Sequence, residues 1–155
     1  MKFTIRNYHS NDKYEISDLV KRCTLEINSK EYPQHVVDFV INHFTPDQVE
    51  EYALMNSCLV AVFDEKIIGT ISLGDGNRIY STFVSPSLQR QMVGTALLQR
   101  IETIAFDKGI SRLKLQSSLY AEKFYARNGY VRMGELMDEA FGRTITMQKI
   151  IAAGS

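Results

Sequence analysis

Residues 84–98 read VSPSLQRQMVGTALL, and the fold turns on how this stretch is read. It follows RIYSTFV (78–84), a β-branched and aromatic run halted by Pro86. Downstream, Leu97, Leu98, Ile101, Ile104 and Ala105 recur on one face of a helix expected from Gln91 to Lys108, with Gly109 as its stop. The stretch is therefore a strand end, a turn and a helix start. A helix start carries unpaired N–H groups and the positive end of the helix dipole, which suits a phosphate. A phosphate-cradling turn usually has two glycines, yet here Met92 stands where the one before Gly94 would be. On physics alone, an anion-binding loop and an ordinary surface helix both remain open.

Working outward, KFTIRNY (2–8) alternates as a first strand. Tyr14, Ile16, Leu19, Val20, Cys23 and Ile27 fall near helical spacing behind Ser10 or Asn11 as cap. Pro33 breaks the chain, Val36 to Phe44 mark a second helix, and Thr45 with Pro46 opens a third. The period then changes. SCLVAVF (57–63) and KIIGTISL (66–73) are strands of a hairpin. After the central helix come a strand in RLKLQ (112–116), a short helix in LYAEKFYARNG (119–129), and closing strands YVRM (130–133) and RTITMQKI (143–150) around a loop, GELMDEAFG. The order β-α-α-α-β-β-β-α-β-α-β-β implies an α/β (α+β) fold, a mixed sheet with helices on both faces. Residues 1–150 are expected to be one domain and 151–155 a frayed tail.

Composition limits the function classes. Eighteen Lys plus Arg balance eighteen Asp plus Glu, so the basic excess of a polyanion-binding protein is missing and nucleic acid is not an expected partner. The longest apolar run, CLVAVF (58–63), is far short of the ~20 residues a membrane span needs. With a polar N-terminal start, this points to a soluble, cytoplasmic protein with no membrane partner. Cys23 and Cys58 lie far apart without metal-ligand spacing, and His9, His35 and His43 have no triad context, so two reduced thiols and no metal site are expected.

A resemblance narrows the reading. VSPSLQRQMVGTALL resembles the acyl-CoA-binding segment of the Gcn5-related N-acetyltransferase (GNAT) superfamily, V-x-P followed by Q/R-x-x-G-x-G/A and an apolar helix. Aligned from Pro86, Gln89 takes the Q/R place, Met92 the first glycine and Gly94 the second. Downstream, SSLYAEKFYARNGYV resembles the motif S-L-x-A-x-x-F-Y-x-x-x-G-F/Y of the bacterial branch. Ser118, Leu119, Ala121, Phe124, Tyr125, Gly129 and Tyr130 all fall in place. Two ordered motifs one strand apart are far more specific than either alone.

The resemblance implies a mostly antiparallel seven-stranded sheet splayed between its fourth and fifth strands, with acetyl-CoA as acyl donor in the gap. Backbone groups of Phe83, Val84 and Ser85 would pair with the pantetheine arm like an added strand. The N–H groups of Gln89, Arg90, Gln91, Met92, Val93, Gly94, Thr95 and Ala96 would surround the pyrophosphate. Ser118 would hydrogen-bond the cofactor arm or cap the next helix.

Tyr125 matches the family's general acid, since a phenol of pKa about 10 is protonated at pH 7 and can donate to a departing thiolate. Either Tyr80 and Thr82 or Ser81 and Phe83 face the acceptor side. Glu26, Glu31, Glu135, Asp138 and Glu139 are candidates for a base, or for steering a cationic amine. The implied activity is N-acetylation of a primary amine of a small molecule. The alternatives are a catalytically idle acyl-CoA-binding module and an enzyme acting on a peptide or protein amine. The resemblance also leaves room for a homodimer. Methionine supplies an N–H as glycine does, so a helical φ at residue 92 would forfeit only close backbone approach.

Overall fold

The computed structural model describes residues 2–89 and 92–151. Its strands are β1 (Thr4–Asn7), β2 (Ser57–Phe63), β3 (Lys66–Gly74), β4 (Arg78–Val84), β5 (Arg112–Ser117), β6 (Val131–Asp138) and β7 (Gly142–Ile150). The helices are α1 (Lys13–Glu26), α2 (Gln34–His43), α3 (Pro46–Met55), α4 (Val93–Asp107) and α5 (Glu122–Arg127). The seven strands form one sheet in the order β1-β2-β3-β4-β5-β7-β6, the mixed and mostly antiparallel sheet expected from the sequence. No helix among the described residues is long and apolar enough to cross a membrane.

Local chemistry accounts for the element boundaries. β2 and β3 are joined by Asp64 and Glu65, both at positive φ, the backbone that a two-residue hairpin requires. Thr45 caps α3, its hydroxyl accepting the Gln48 N–H, with Pro46 in the first turn. Alternation along the strands then builds two cores. On one face Leu97, Leu98, Ile101 and Ala105 of α4 pack with Leu113, Leu115, Ile145 and Met147. On the other, Ile16, Leu19, Val20 and Cys23 of α1 pack with Val49, Val60 and Ile67. Gly69 allows α4 to lie close on β3, since a Cβ there would come within 2.9 Å of Leu97 Cδ1.

The sheet opens in the middle. Every neighbouring pair is antiparallel except β4 and β5, which run parallel and are paired only at Arg78 and Lys114. Past that point β4 keeps its ladder to β3 and β5 its ladder to β7, so the two halves part toward the C-terminal ends of β4 and β5.

Three expectations need correction. The expected loop GELMDEAFG is mostly strand: β6 continues through Gly134 to Asp138, leaving a short turn before Gly142. As the edge strand it is exposed along nearly its whole length, so it has no alternation to read. α4 begins at Val93 rather than Gln91, and α5 is confined to Glu122–Arg127.

A part-buried ion pair, its carboxylate buried and its guanidinium partly exposed, locks β1 to the start of α1. Asp12, 6% exposed, accepts from Arg6 Nη1 at 2.7 Å and Nη2 at 3.0 Å, and from the His9 N–H at 2.7 Å. Burial alone would raise the Asp12 pKa, but these hydrogen bonds and the guanidinium charge hold it below its ordinary value. A carboxyl depressed in the folded state stabilises above its unfolded pKa and loses that contribution as pH falls through the folded value. We therefore expect denaturant-measured stability to decline as pH drops below about 4. Asp12→Asn is expected to cost roughly 1–3 kcal/mol at pH 7 and to flatten that decline.

Candidate functional site

The gap between β4 and β5 gathers most of the residues singled out in the sequence. Ser85 N–H donates to Ile68 O at 2.8 Å, and the alternation of an antiparallel ladder then commits Phe83 to β3 as well. Val84 turns the other way, toward the open edge. Its carbonyl is already taken by Gln89 Nε2 at 2.6 Å and by the Cys23 thiol at 3.1 Å. The added-strand expectation for Phe83, Val84 and Ser85 thus narrows to the Val84 N–H, because the other two residues belong to the β3 ladder. Burial pushes the Cys23 thiol up to about 12, so it stays protonated and can donate. Both cysteines are free, Cys23 buried and Cys58 half-buried.

After β4, a 3-10 turn spans Pro86–Leu88 and the Gln89 side chain folds back onto Val84. Arg90 and Gln91, expected at the pyrophosphate, lie outside the described residues. Met92 is the N-cap of α4 and offers no side-chain cap. The Ala96 N–H is spent on Met92 O at 3.0 Å, so Ala96 leaves the expected anion-binding set, closing the first helical turn instead. Val93, Gly94 and Thr95 precede the first intrahelical donor, so their N–H groups have no partner in the helix and receive none from Met92. Gly94 serves packing as well: a Cβ there would meet the Phe124 ring at 3.1 Å.

Met92 does not have the helical φ under which methionine would resemble glycine. It sits at φ 65°, ψ 11°, in the left-handed region where a side chain costs about 1–2 kcal/mol. Its side chain, 65% exposed, finds little packing in return.

On the far side of the gap, Ser118 Oγ accepts the Ala121 N–H at 3.2 Å in the turn before α5, whose own N-cap, Ala121, has no side-chain cap, and the Ser118 O–H is left to donate elsewhere. Tyr125 is buried on α5 among Phe124 and Tyr130, with ring centroids 5.0 and 5.8 Å away. α5 is anchored by Lys149, which donates to Asn128 O at 2.9 Å and to Glu102, while Glu102 accepts the Tyr130 hydroxyl at 2.8 Å.

Across the gap from Tyr125 the β4 ladder slips. Thr70 opposes Phe83 and Ser72 opposes Tyr80, so one β3 residue faces Ser81 and Thr82, with Ser81 at φ 52°. This bulge re-aims the strand. Thr82 Oγ1 is buried without a hydrogen-bond partner among the described residues. It is near enough to Tyr125 to pull the phenol's pKa down, yet outside hydrogen-bond geometry with it. Burial outweighs that pull and raises Tyr125 above its ordinary value, so the phenol is protonated at neutral pH. An orphaned buried hydroxyl beside a protonated phenol can hydrogen-bond a polar group.

The mouth of the gap is an open cleft of about 530 Å³ lined by Glu26, Ile27, Lys30, Glu31, Pro86, Ser87, Gln89 and Tyr120, within the size range of small-molecule sites. Two of the five candidate carboxylates, Glu26 and Glu31, are therefore at the cleft. Two of the three hairpin acids are occupied otherwise: Glu135 pairs with Arg132 and Arg143, and Asp138 Oδ1 accepts the N–H groups of Ala140 and Phe141, while Glu139 is exposed at the turn. His9 and His35 are exposed.

Sequence reasoning missed Tyr32, whose hydroxyl donates to Arg143 O at 2.6 Å and accepts the Leu119 N–H at 3.1 Å. It tethers the chain after α1 to both β7 and the β5–α5 link. It precedes the chain break at Pro33, and nothing local marks a bond to a residue 111 positions away.

Comparison with known proteins places these features. A family model described as an acetyltransferase (GNAT) domain matches residues 27–151. No curated protein matches the sequence. Among solved structures, the chain is similar to a GCN5-related N-acetyltransferase from Rhodopseudomonas palustris, with TM-score 0.90, 19% identity, and 97% and 96% of the two chains covered. It is also similar to the PaiA N-acetyltransferase of Thermoplasma acidophilum in complex with coenzyme A, with TM-score 0.83, 18% identity and 97% and 99% coverage. An aminoglycoside 6'-N-acetyltransferase complexed with coenzyme A gives TM-score 0.68 at 18% identity, with 98% and 99% coverage. At these identities the likeness is one of fold.

The left-handed backbone at Met92 yields a direct test. Met92→Gly should raise unfolding free energy by about 1 kcal/mol, and Met92→Val should lower it, because a β-branched side chain tolerates positive φ least. Urea denaturation followed by circular dichroism reads both.

Proposed function

The chain belongs to the GNAT acetyltransferase family, and from that premise we propose that it is an N-acetyltransferase carrying the acetyl group of acetyl-CoA to a primary amine of a small molecule. The observation that carries the reading is the parting of β4 and β5 after Arg78 and Lys114, with Thr82 of β4 and the α4 start, which has no side-chain cap from Met92, on one side and Tyr125 of α5 on the other. The complexes of two structural neighbours with coenzyme A support the choice of donor.

The residues present fit that donor. The Val84 N–H offers one strand-like contact to an amide of the pantetheine arm, and the Ser118 hydroxyl retains a donor. The N–H groups of Val93, Gly94 and Thr95, at the positive end of the α4 dipole, suit the pyrophosphate. Gln89 keeps the loop closed by holding Val84 O. When bound, acetyl-CoA supplies an acetyl thioester whose carbonyl carbon exchanges its sulfur for an amine nitrogen.

This chain's groups would do the rest. The gap would admit the reactants through its open mouth. Tyr125 holds its proton at Oη because burial disfavours the phenolate, and it would be the group that protonates a departing thiolate. Thr82 Oγ1, lacking a partner, is free to orient a polar group at the same place. Glu26 and Glu31, which line the cleft, would take the proton from the acceptor ammonium, directly or through water, so that the neutral amine can attack the thioester carbon.

A thiol-release assay with acetyl-CoA and a panel of primary amines tests this reading. Tyr125→Phe should lower kcat by 10²-fold or more while leaving the acetyl-CoA Kd within about threefold of wild type. Cofactor binding without turnover on any amine would instead identify an idle acyl-CoA-binding module.

A further inference from the structure

The extra residue in β4 decides which way Thr82 points. Ser72 of β3 opposes Tyr80 and Thr70 opposes Phe83, so Ile71 alone faces both Ser81 and Thr82. An unbroken ladder would set Thr82 opposite Thr70, on the face toward α1 and α3. Instead Ser81, at φ 52°, joins Thr70, Ser72 and Phe83 around a small cavity on that face. Thr82 is turned to the other face, which it shares with Val84 by strand alternation. Val84 packs in the same core as Tyr125, and Phe83 in the opposite one. A non-glycine residue held at positive φ is strained, and such strain persists where the surroundings impose it.

The hydroxyl delivered by this bulge has nothing to bond. Thr82 Oγ1 is buried without a partner among the described residues, whereas Thr24 donates to Val20 O at 2.7 Å and Thr70 to Leu59 O at 2.9 Å. Beside it stands Tyr125, close enough for the two hydroxyls to interact. The neighbouring phenol is no substitute, because the Tyr130 hydroxyl is committed to Glu102 at 2.8 Å.

A Tyr125 that protonates a departing thiolate is left as a phenolate until the proton shed by the amine nitrogen on acylation restores it. A buried phenolate without a donor is costly, and a hydrogen bond to the charged form favours that form. A hydroxyl that bonds the phenol weakly and the phenolate strongly acts on the transition state more than on the ground state.

We propose that Thr82 is a positioning residue for the transfer, its hydroxyl donating to the Tyr125 oxygen as that oxygen gives up its proton. The proposal rests on the acetyl-transfer reading. Its first test uses the protein without ligand, with Tyr125 replaced by difluorotyrosine, whose phenol is acidic enough to titrate near neutral pH, followed by fluorine NMR. Thr82→Val, which keeps the side-chain shape and removes the hydroxyl, should weaken that phenol's acidity about tenfold or more. Thr82→Ser should recover most of the loss, which a merely structural role would not produce.

The second test is steady-state thiol release with acetyl-CoA and the amine panel. Thr82→Val should lower kcat about tenfold, with the amine KM and the acetyl-CoA Kd within about threefold, and should cost less than about twofold more in a Tyr125→Phe background. Acidity left within about twofold by Thr82→Val, or equal losses of kcat with and without the Tyr125 hydroxyl, would overturn the proposal while leaving acetyl transfer intact. Bound acetyl-CoA with no thiol release on any amine would remove the acetyl-transfer reading, and the proposal with it.

Discussion

A single backbone pairing, Arg78 with Lys114, joins the two halves of the sheet, and the rest of the molecule is organised around that economy. A parallel pair continuing to the ends of β4 and β5 would seal the sheet and leave no site. Because it stops, one edge of β4 and one edge of β5 lose their ladder partners, and buried backbone polar groups without partners are costly. Lys114 N–H donates to Asn77 O at 3.0 Å as part of that one pairing, and at the mouth Tyr32 ties β7 to the β5–α5 link. On the open edge itself, Gln89 and Cys23 take the Val84 carbonyl. What is left unpaired is left where a ligand can use it.

The N-terminus of α4 shows the same logic. A helix start would ordinarily be closed by Ser, Thr, Asp or Asn, as Thr45 closes α3. The Met92 side chain provides no cap, so among the described residues the N–H groups of Val93, Gly94 and Thr95 stay without a partner at the positive end of the dipole. The left-handed φ at Met92 is the conformational cost of the turn that aims them. A glycine would meet that cost more cheaply, and the methionine shows that the turn is dictated by its surroundings rather than by its own residue's preference.

Much of this was legible in the residues. The change from helical period before Met55 to β period after Asn56 placed the strands, and the stretches around Gly94 and Tyr125 located both walls of the gap. What escaped the sequence did so for physical reasons. β6 runs to Asp138 as an exposed edge strand, and without a buried face it has no alternation to detect. The conformation of Met92 is set by the strand before it and the helix after it. The tether at Tyr32 depends on contacts between residues far apart in the chain, which no local spacing encodes. Glu135 and Asp138 looked available because their arginine and turn-amide partners are visible only in three dimensions.

The central claim is that the gap between β4 and β5 and the open start of α4 form one binding surface. Residue-resolved amide hydrogen exchange with and without acetyl-CoA tests it most directly. The account predicts slowed exchange at Val84, Val93, Gly94 and Thr95 on adding the cofactor, with β1 and β2 unchanged. Protection confined to other residues, or none at these four amides at saturating acetyl-CoA, would contradict it.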